Sequence, residues 1–90
     1  MRLSLEKNQE VQIEKFREYL IDNERSKNTI YSYIRSVAMY FERYDDLSKA
    51  NMIDFKKWQL DQWTPKTAHN RVVALNQFCI FLGKNECCIK

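Results

Sequence analysis

Between Ser26 and Arg43 the chain reads SKNTIYSYIRSVAMYFER, and this stretch decides the fold. At about 100° per residue, Ile30, Tyr33, Ile34, Val37, Phe41 and Tyr44 fall on one side of a helix that opens at Ser26 or Lys27. Ser26 stands where a hydroxyl caps the first turn by accepting from a backbone N–H that the helix leaves free. Nearly opposite the apolar side lie Asn28, Tyr31, Ser32, Arg35 and Met39, with Lys27 beside them. A purely solvated face more often pairs Glu with Lys four residues apart. Here no acidic residue occurs between Lys27 and Phe41. Cations and hydroxyls suit phosphate oxygens, and an amide suits a base edge in the major groove.

The flanking segments are helical too. One Gly and one Pro leave almost no material for hairpin turns, so the chain reads as all-α. A first helix spans about Gln9 to Asn23, with Ile13, Phe16 and Leu20 inward and Glu14, Lys15, Arg17 and Glu18 outward. A third starts after Leu47, capped by Ser48 or Asn51, and runs to about Gln62. A fourth opens at Thr64 and Pro65, a cap followed by proline at the first helical position, and ends at Gly83. Residues 1–8 read as a flexible N-terminal segment, 9–83 as the domain, and 84–90 as a frayed tail or linker.

The fourth helix repeats the theme of the second. Ala68, Val72, Leu75, Cys79 and Leu82 share a face, with Phe78 at its edge, while Lys66, His69 and Asn70 open the opposite side. No acid occurs from Lys66 to Lys84. The helix begins polar and cationic and becomes apolar nearly all round at Ile80 and Phe81, as expected of a start that meets a partner and an end that is buried. Its first turn also offers free N–H groups and a positive dipole end to a phosphate. The acids sit elsewhere. Glu6, Glu10, Glu14, Glu18, Asp22 and Glu24 lie in or beside the first helix, and Glu42, Asp45, Asp46, Asp54 and Asp61 lie around the third. A formal net charge of only +3 therefore conceals a segregation of sign, the footprint of a nucleic-acid face.

Composition excludes other classes. Ninety residues, 44% hydrophobic and 30% charged, make one soluble globular domain. No stretch is long enough to span a bilayer, and MRLSLEKNQE lacks the apolar core of a signal peptide. Cys79, Cys87 and Cys88 are odd in number and two are adjacent, which argues for a reducing cytosol rather than a disulfide framework. The expected arrangement is one core cysteine and a loose tail. No metal site is expected, because ten helical residues separate His69 from Cys79 by about 15 Å and no CxxC pair adds ligands. Gly-rich phosphate loops and nucleophile–base pairs are missing, so no catalytic residue and no cofactor is assigned. Asp45 and Asp46 read as a solvated turn. Trp58 and Trp63 read as fillers of a small core, or as interface anchors if the chain is a helical protein–protein interaction module, the alternative function.

The motifs in order carry a resemblance. FREYL (Phe16 to Leu20), SKNTIYSYIRSV (Ser26 to Val37), DLSKANMIDF (Asp46 to Phe55) and TPKTAHNRVVALNQFCIFL (Thr64 to Leu82) together resemble the N-terminal core-binding, SAM-like domain of tyrosine recombinases, the phage integrase family. The match covers about residues 10 to 83. It implies a compact four-helix SAM-like bundle, packed orthogonally, that lies across double-stranded DNA at a recombination site. Its second and fourth helices approach the major groove while a separate catalytic domain closes from the other side. By position it assigns DNA contacts to Lys27, Asn28, Thr29, Ser32 and Arg35, and to Lys66, Thr67, Asn70 and Arg71; Tyr31 and His69 join them from the angular reading alone. Arg71 also leans toward the core edge, where it can brace the helix, and Thr29 and Thr67 can serve their own helix turns. The family's Arg, HxxR and Tyr set is not in this sequence: the sole histidine is followed by Asn70, Arg71 and Val72. The resemblance thus implies a piece of a longer recombinase, or a remnant that binds without cutting, in a prokaryotic cytosol near the nucleoid. The catalytic domain and neighbouring protomers on DNA are the implied protein partners, with the isolated domain monomeric.

Overall fold

Three hydroxyl caps set the helix starts. In the computed structural model, which describes residues 7–89, the Ser26 side chain accepts from the Thr29 N–H at 3.1 Å, Ser48 from Asn51 at 3.1 Å and Thr64 from Thr67 at 3.3 Å. Each satisfies a first-turn donor that has no partner within its helix. The helices are α1 (Lys7–Asp22), α2 (Lys27–Arg43), α3 (Lys49–Gln62) and α4 (Pro65–Phe81), followed by a 3-10 turn at Asn85–Cys87. Ser48, not Asn51, caps α3. The Asn51 amide instead donates to the Asp46 carbonyl and carboxylate at 3.3 and 3.1 Å, tying down the α2–α3 connection.

Two helices end in the same left-handed device. Glu24, at φ 58°, ends α1, with its N–H on the Ile21 carbonyl and the Arg25 N–H on Leu20. Gly83, at φ 76°, ends α4 through the equivalent bonds to Ile80 and, from Lys84, to Cys79. This is the Schellman pattern, in which glycine avoids the Cβ penalty that Glu24 carries. The described residues form an all-α four-helix bundle with no strand. No helix among them is long and apolar enough to cross a membrane.

The bundle is organised around α4, which packs against α2, α3 and, more lightly, α1. That central place is why its second half is apolar on nearly every side. Phe16, Leu20, Val37, Tyr40, Met52, Phe55, Leu75, Phe78 and Cys79 are almost completely buried. Phe78 meets the Phe16 ring edge-on at 5.1 Å and Phe41 at 6.0 Å, the arrangement aromatic quadrupoles favour. It is therefore a central core residue rather than an edge one. Tyr40, absent from the apolar face predicted for the second helix, is fully buried, and its hydroxyl donates to the Asp46 carbonyl at 2.7 Å. Burial of the phenol with its hydroxyl satisfied raises its pKa far above the ordinary range. The buried side of α2 is thus rotated toward Ser36 and Tyr40, because α3 aromatics reach it as well as α1 and α4.

Three further expectations are corrected. Met39, placed by angle on the outer face, is half-buried and accepts from the Gln59 amide at 3.4 Å. The tryptophans do not fill the core. Trp58 is half-buried and Trp63 is exposed, each with a guanidinium over its ring, Arg43 at 4.5 Å and Arg71 at 4.6 Å. The segment after Gly83 is not frayed. Cys87 is 5% exposed and joins the core, and Asn76 clamps Ile89 by donating to its carbonyl at 2.6 Å and accepting its N–H at 3.0 Å. The packed body therefore extends to Ile89, past the boundary expected at Gly83. At the other end α1 begins at Lys7, within the segment expected to be flexible; residues 1–6 and Lys90 lie outside the described residues.

Candidate nucleic-acid interface

The caps and the packing of α2 on α4 bring two sets of polar side chains to one seam. Asn28, Thr29, Ser32 and Tyr33 of α2 line a shallow depression with Asn70 and Val73 of α4. Tyr31, Ser32, Arg35, Ser36 and Met39 line the next with Arg71. Ser32 belongs to both, so the two are continuous along α2. Of the residues singled out in the sequence, Asn28, Thr29, Tyr31, Ser32, Arg35, Asn70 and Arg71 meet here. Lys27 lies around the shoulder, in a depression shared with Arg17, Ile21, Arg25, Ile30 and Tyr31. Lys66 and His69 are exposed on the first turns of α4 and line neither seam depression.

The side chains differ in freedom. Thr29 and Thr67 are half-buried, and their hydroxyls accept from the cap hydroxyls of Ser26 and Thr64 at 3.0 and 3.1 Å. They serve the helix starts, the second of the two roles open to them. Asn28, Ser32 and Asn70 are exposed. Tyr31, at 63% exposed, accepts from Arg35 Nη1 at 3.0 Å, and the guanidinium sits 5.6 Å from its ring centroid. That i,i+4 pair holds the Arg35 head on the outer side of α2.

Arg71 is held differently. Its Nη1 donates to Gln59 Oε1 at 2.7 Å, and Gln59 is wholly buried. The sequence did not single out Gln59. The signal was there: at i+7 from Met52 and i+4 from Phe55 it is the one amide on an apolar stripe, and a buried amide needs a partner. Sandwiched between that amide and the Trp63 ring, Arg71 braces α3 against α4 and also faces the seam. Burial, and after it the charge of Arg35, lowers its pKa.

No carboxylate answers these charges. Among the described residues the direct ion pair is Arg17 with Glu14 on α1, at 3.6 Å, and none of Lys27, Arg35, Lys66 or Arg71 pairs with an acid. Two guanidiniums from different helices therefore share a depression lined by hydroxyls, with no acidic side chain in its wall. Such a site favours an anion with several oxygens that both planar guanidinium forks can reach. Arg17 and Arg25 are the cations the sequence reading passed over. The acids of the first helix hid them, although Arg25 directly precedes the Ser26 cap.

The cysteines supply no chemistry at the seam. All three are free, and burial lifts the Cys79 thiol to about 12. No group of His, Cys, Asp and Glu among the described residues is placed to hold a metal ion. Comparison of the chain with protein-family models, with curated proteins and with solved structures finds no match in any of the three.

Proposed function

We propose that the α2–α4 seam grips the phosphate backbone of double-stranded DNA, as the non-catalytic core-binding unit of a tyrosine-recombinase-type protein. The observation that carries this reading is the Arg35–Arg71 depression: two cations from separate helices, without acidic partners, beside exposed Asn28, Ser32 and Asn70. Guanidiniums and hydroxyls position a protein on phosphates, and the amides are the groups able to read base edges. From Asn28 to Arg35 the outer side of α2 runs about 10 Å along a helix about 10 Å wide. A helix of that width and length fits a major groove about 12 Å wide. The motif order from FREYL to CIFL supports the family reading, and cleavage then belongs to residues outside this chain. On this reading the protein works in the prokaryotic cytosol, where its three free thiols are stable.

The test is equilibrium binding to mixed-sequence duplexes over a salt series. Binding that weakens steeply with salt supports the seam, since neutralised phosphates release counterions. Absence of binding at the lowest salt overturns the proposal. A protein-interaction module would instead be insensitive to replacement of Arg35 and sensitive at exposed Trp63.

A further inference from the structure

Both guanidiniums of the seam are anchored by the same atom. Arg35 donates from Nη1 to the Tyr31 hydroxyl at 3.0 Å, and Arg71 donates from Nη1 to Gln59 Oε1 at 2.7 Å. Among the described residues the fold thus leaves the Nε–Nη2 edge of each unused. That edge is the planar fork able to take two oxygens side by side. The depression between α2 and α4 is therefore lined by two residues, one from each helix, that both keep such a fork.

The two charges also oppose each other. After burial, the charge of Arg35 is what lowers the Arg71 pKa, and no acid in the wall offsets the pair. α4 carries no acid along its whole length. On the outer side of α2 the next acid is Glu42, two turns past Arg35 and about 10 Å along the axis. On α3, Asp54 holds the Tyr44 hydroxyl and Asp61 the Gln62 amide. The depression is small, about 270 Å³, below the roughly 300–1,000 Å³ of pockets that enclose a drug-sized molecule. It seats a single anionic group rather than a length of backbone, and that group meets two positive charges.

An unbroken backbone and a strand end differ at such a seat. An internal phosphodiester brings one negative charge and two oxygens not bonded to sugar. A phosphomonoester brings about −1.5 to −2 near neutral pH and three such oxygens. Two forks satisfy three oxygens more fully than two, and two guanidiniums are balanced by the monoester alone. We propose, on the reading of the seam as a DNA-binding face, that the Arg35–Arg71 depression binds the terminal phosphate of a DNA strand in preference to the phosphates of an unbroken backbone. An internal diester fills the same seat with about half the charge. Asn28, Ser32 and Asn70, in the continuous depression, then lie beside the last nucleotides of that strand.

The experiment is equilibrium binding of the full chain to one short blunt duplex, labelled internally and prepared with 5′-phosphate, 3′-phosphate or hydroxyl ends. At low salt and near neutral pH, one phosphorylated form should bind about tenfold tighter than the hydroxyl form, the worth of one further hydrogen bond to a charged group. Arg35→Lys keeps the charge and loses the fork, and should bring that ratio to about twofold or less. Arg35 is exposed, so circular dichroism should show the fold intact. Inorganic phosphate should abolish the preference where chloride at equal ionic strength does not. Equal affinity for all three duplexes overturns the proposal and leaves the DNA reading standing, whereas failure of every form to bind at the lowest salt overturns both. A preference that survives Arg35→Lys also overturns it, because the end phosphate would then sit elsewhere. Displacement by a nucleoside monophosphate at lower concentration than by unlabelled phosphorylated duplex would assign the seat to a free nucleotide and overturn the strand-end assignment.

Discussion

Replacing Arg35 by Gln isolates the contribution of one seam cation to DNA binding. The side chain is exposed, has no carboxylate partner among the described residues, and touches Tyr31 of its own helix. Its loss should therefore change the stability of the fold by no more than about 0.5 kcal/mol. Binding is another matter. Of the cations on or beside the seam, the four expected from the sequence to contact DNA, Lys27, Arg35, Lys66 and Arg71, pair with no acid among the described residues. If each neutralises one phosphate, the logarithm of affinity should fall against the logarithm of salt with a slope of about −3.6. A fourfold rise in salt then costs the wild type about 150-fold in affinity. Arg35→Gln should reduce the slope to about −2.7 and the same salt step to about 40-fold.

Fluorescence anisotropy with a labelled duplex measures both slopes. The difference is more informative than either absolute value, because helix N-termini and other lysines add equally to both proteins. Two unrelated duplex sequences should give the same change, since a phosphate contact carries no sequence information. An unchanged slope for Arg35→Gln would refute the reasoning even if the domain bound DNA, because the grip would then lie elsewhere. A slope that changes on only one sequence would reassign Arg35 to a base edge.

Other perturbations test the frame that presents the seam. Glu24→Gly removes the Cβ penalty at φ 58° and should stabilise the fold by about 0.5–1 kcal/mol in chemical denaturation, less than the full left-handed cost because glycine also loosens the unfolded chain. Asn76→Ala removes both hydrogen bonds to Ile89 and should cost about 1–2 kcal/mol, with amide exchange accelerating over residues 85–89. Cys79 holds its proton in the folded state up to about 12, against an ordinary 9.0, so the folded chain binds more protons than the unfolded one between those values. Stability should be unaffected by this thiol below pH 9 and should fall as pH rises from 9 to 12. In Cys79→Ala that part of the slope should vanish.

The parts of this fold legible in the sequence are those decided within a few residues. Ser26, Thr64 with Pro65, and Gly83 were readable as punctuation because a cap acts over three residues and a Schellman turn over five. What could not be read depends on which element arrives from a distance. Nothing near Tyr40 indicates that its hydroxyl will find the Asp46 carbonyl, and the apolar face predicted for the second helix leaves it out. Trp58 and Trp63 looked like core by size, but Arg43 and Arg71 supply cationic covers that let both rings stay near solvent. The segment after Gly83 looked frayed because its anchor, Asn76, sits a full turn and more back along α4.

The same distinction explains the candidate site. Angular reading sorts each helix into an inside and an outside, and it identified Asn28, Ser32, Arg35 and Asn70 as outward because that is a property of one helix at a time. It could not show that the outward residues of α2 and α4 border a common seam, which depends on how the two axes pack. Arg71 shows what the period misses. By angle it leans toward the core, and a cation there must be neutralised, hydrogen-bonded or excluded. The structure provides the second solution through Gln59, an uncharged acceptor that orients the guanidinium without cancelling its charge. A carboxylate in that place would have bound Arg71 more tightly and removed the positive potential from the seam. The choice of an amide at residue 59 is therefore the local detail that separates a braced cation still able to attract phosphate from an ordinary structural ion pair.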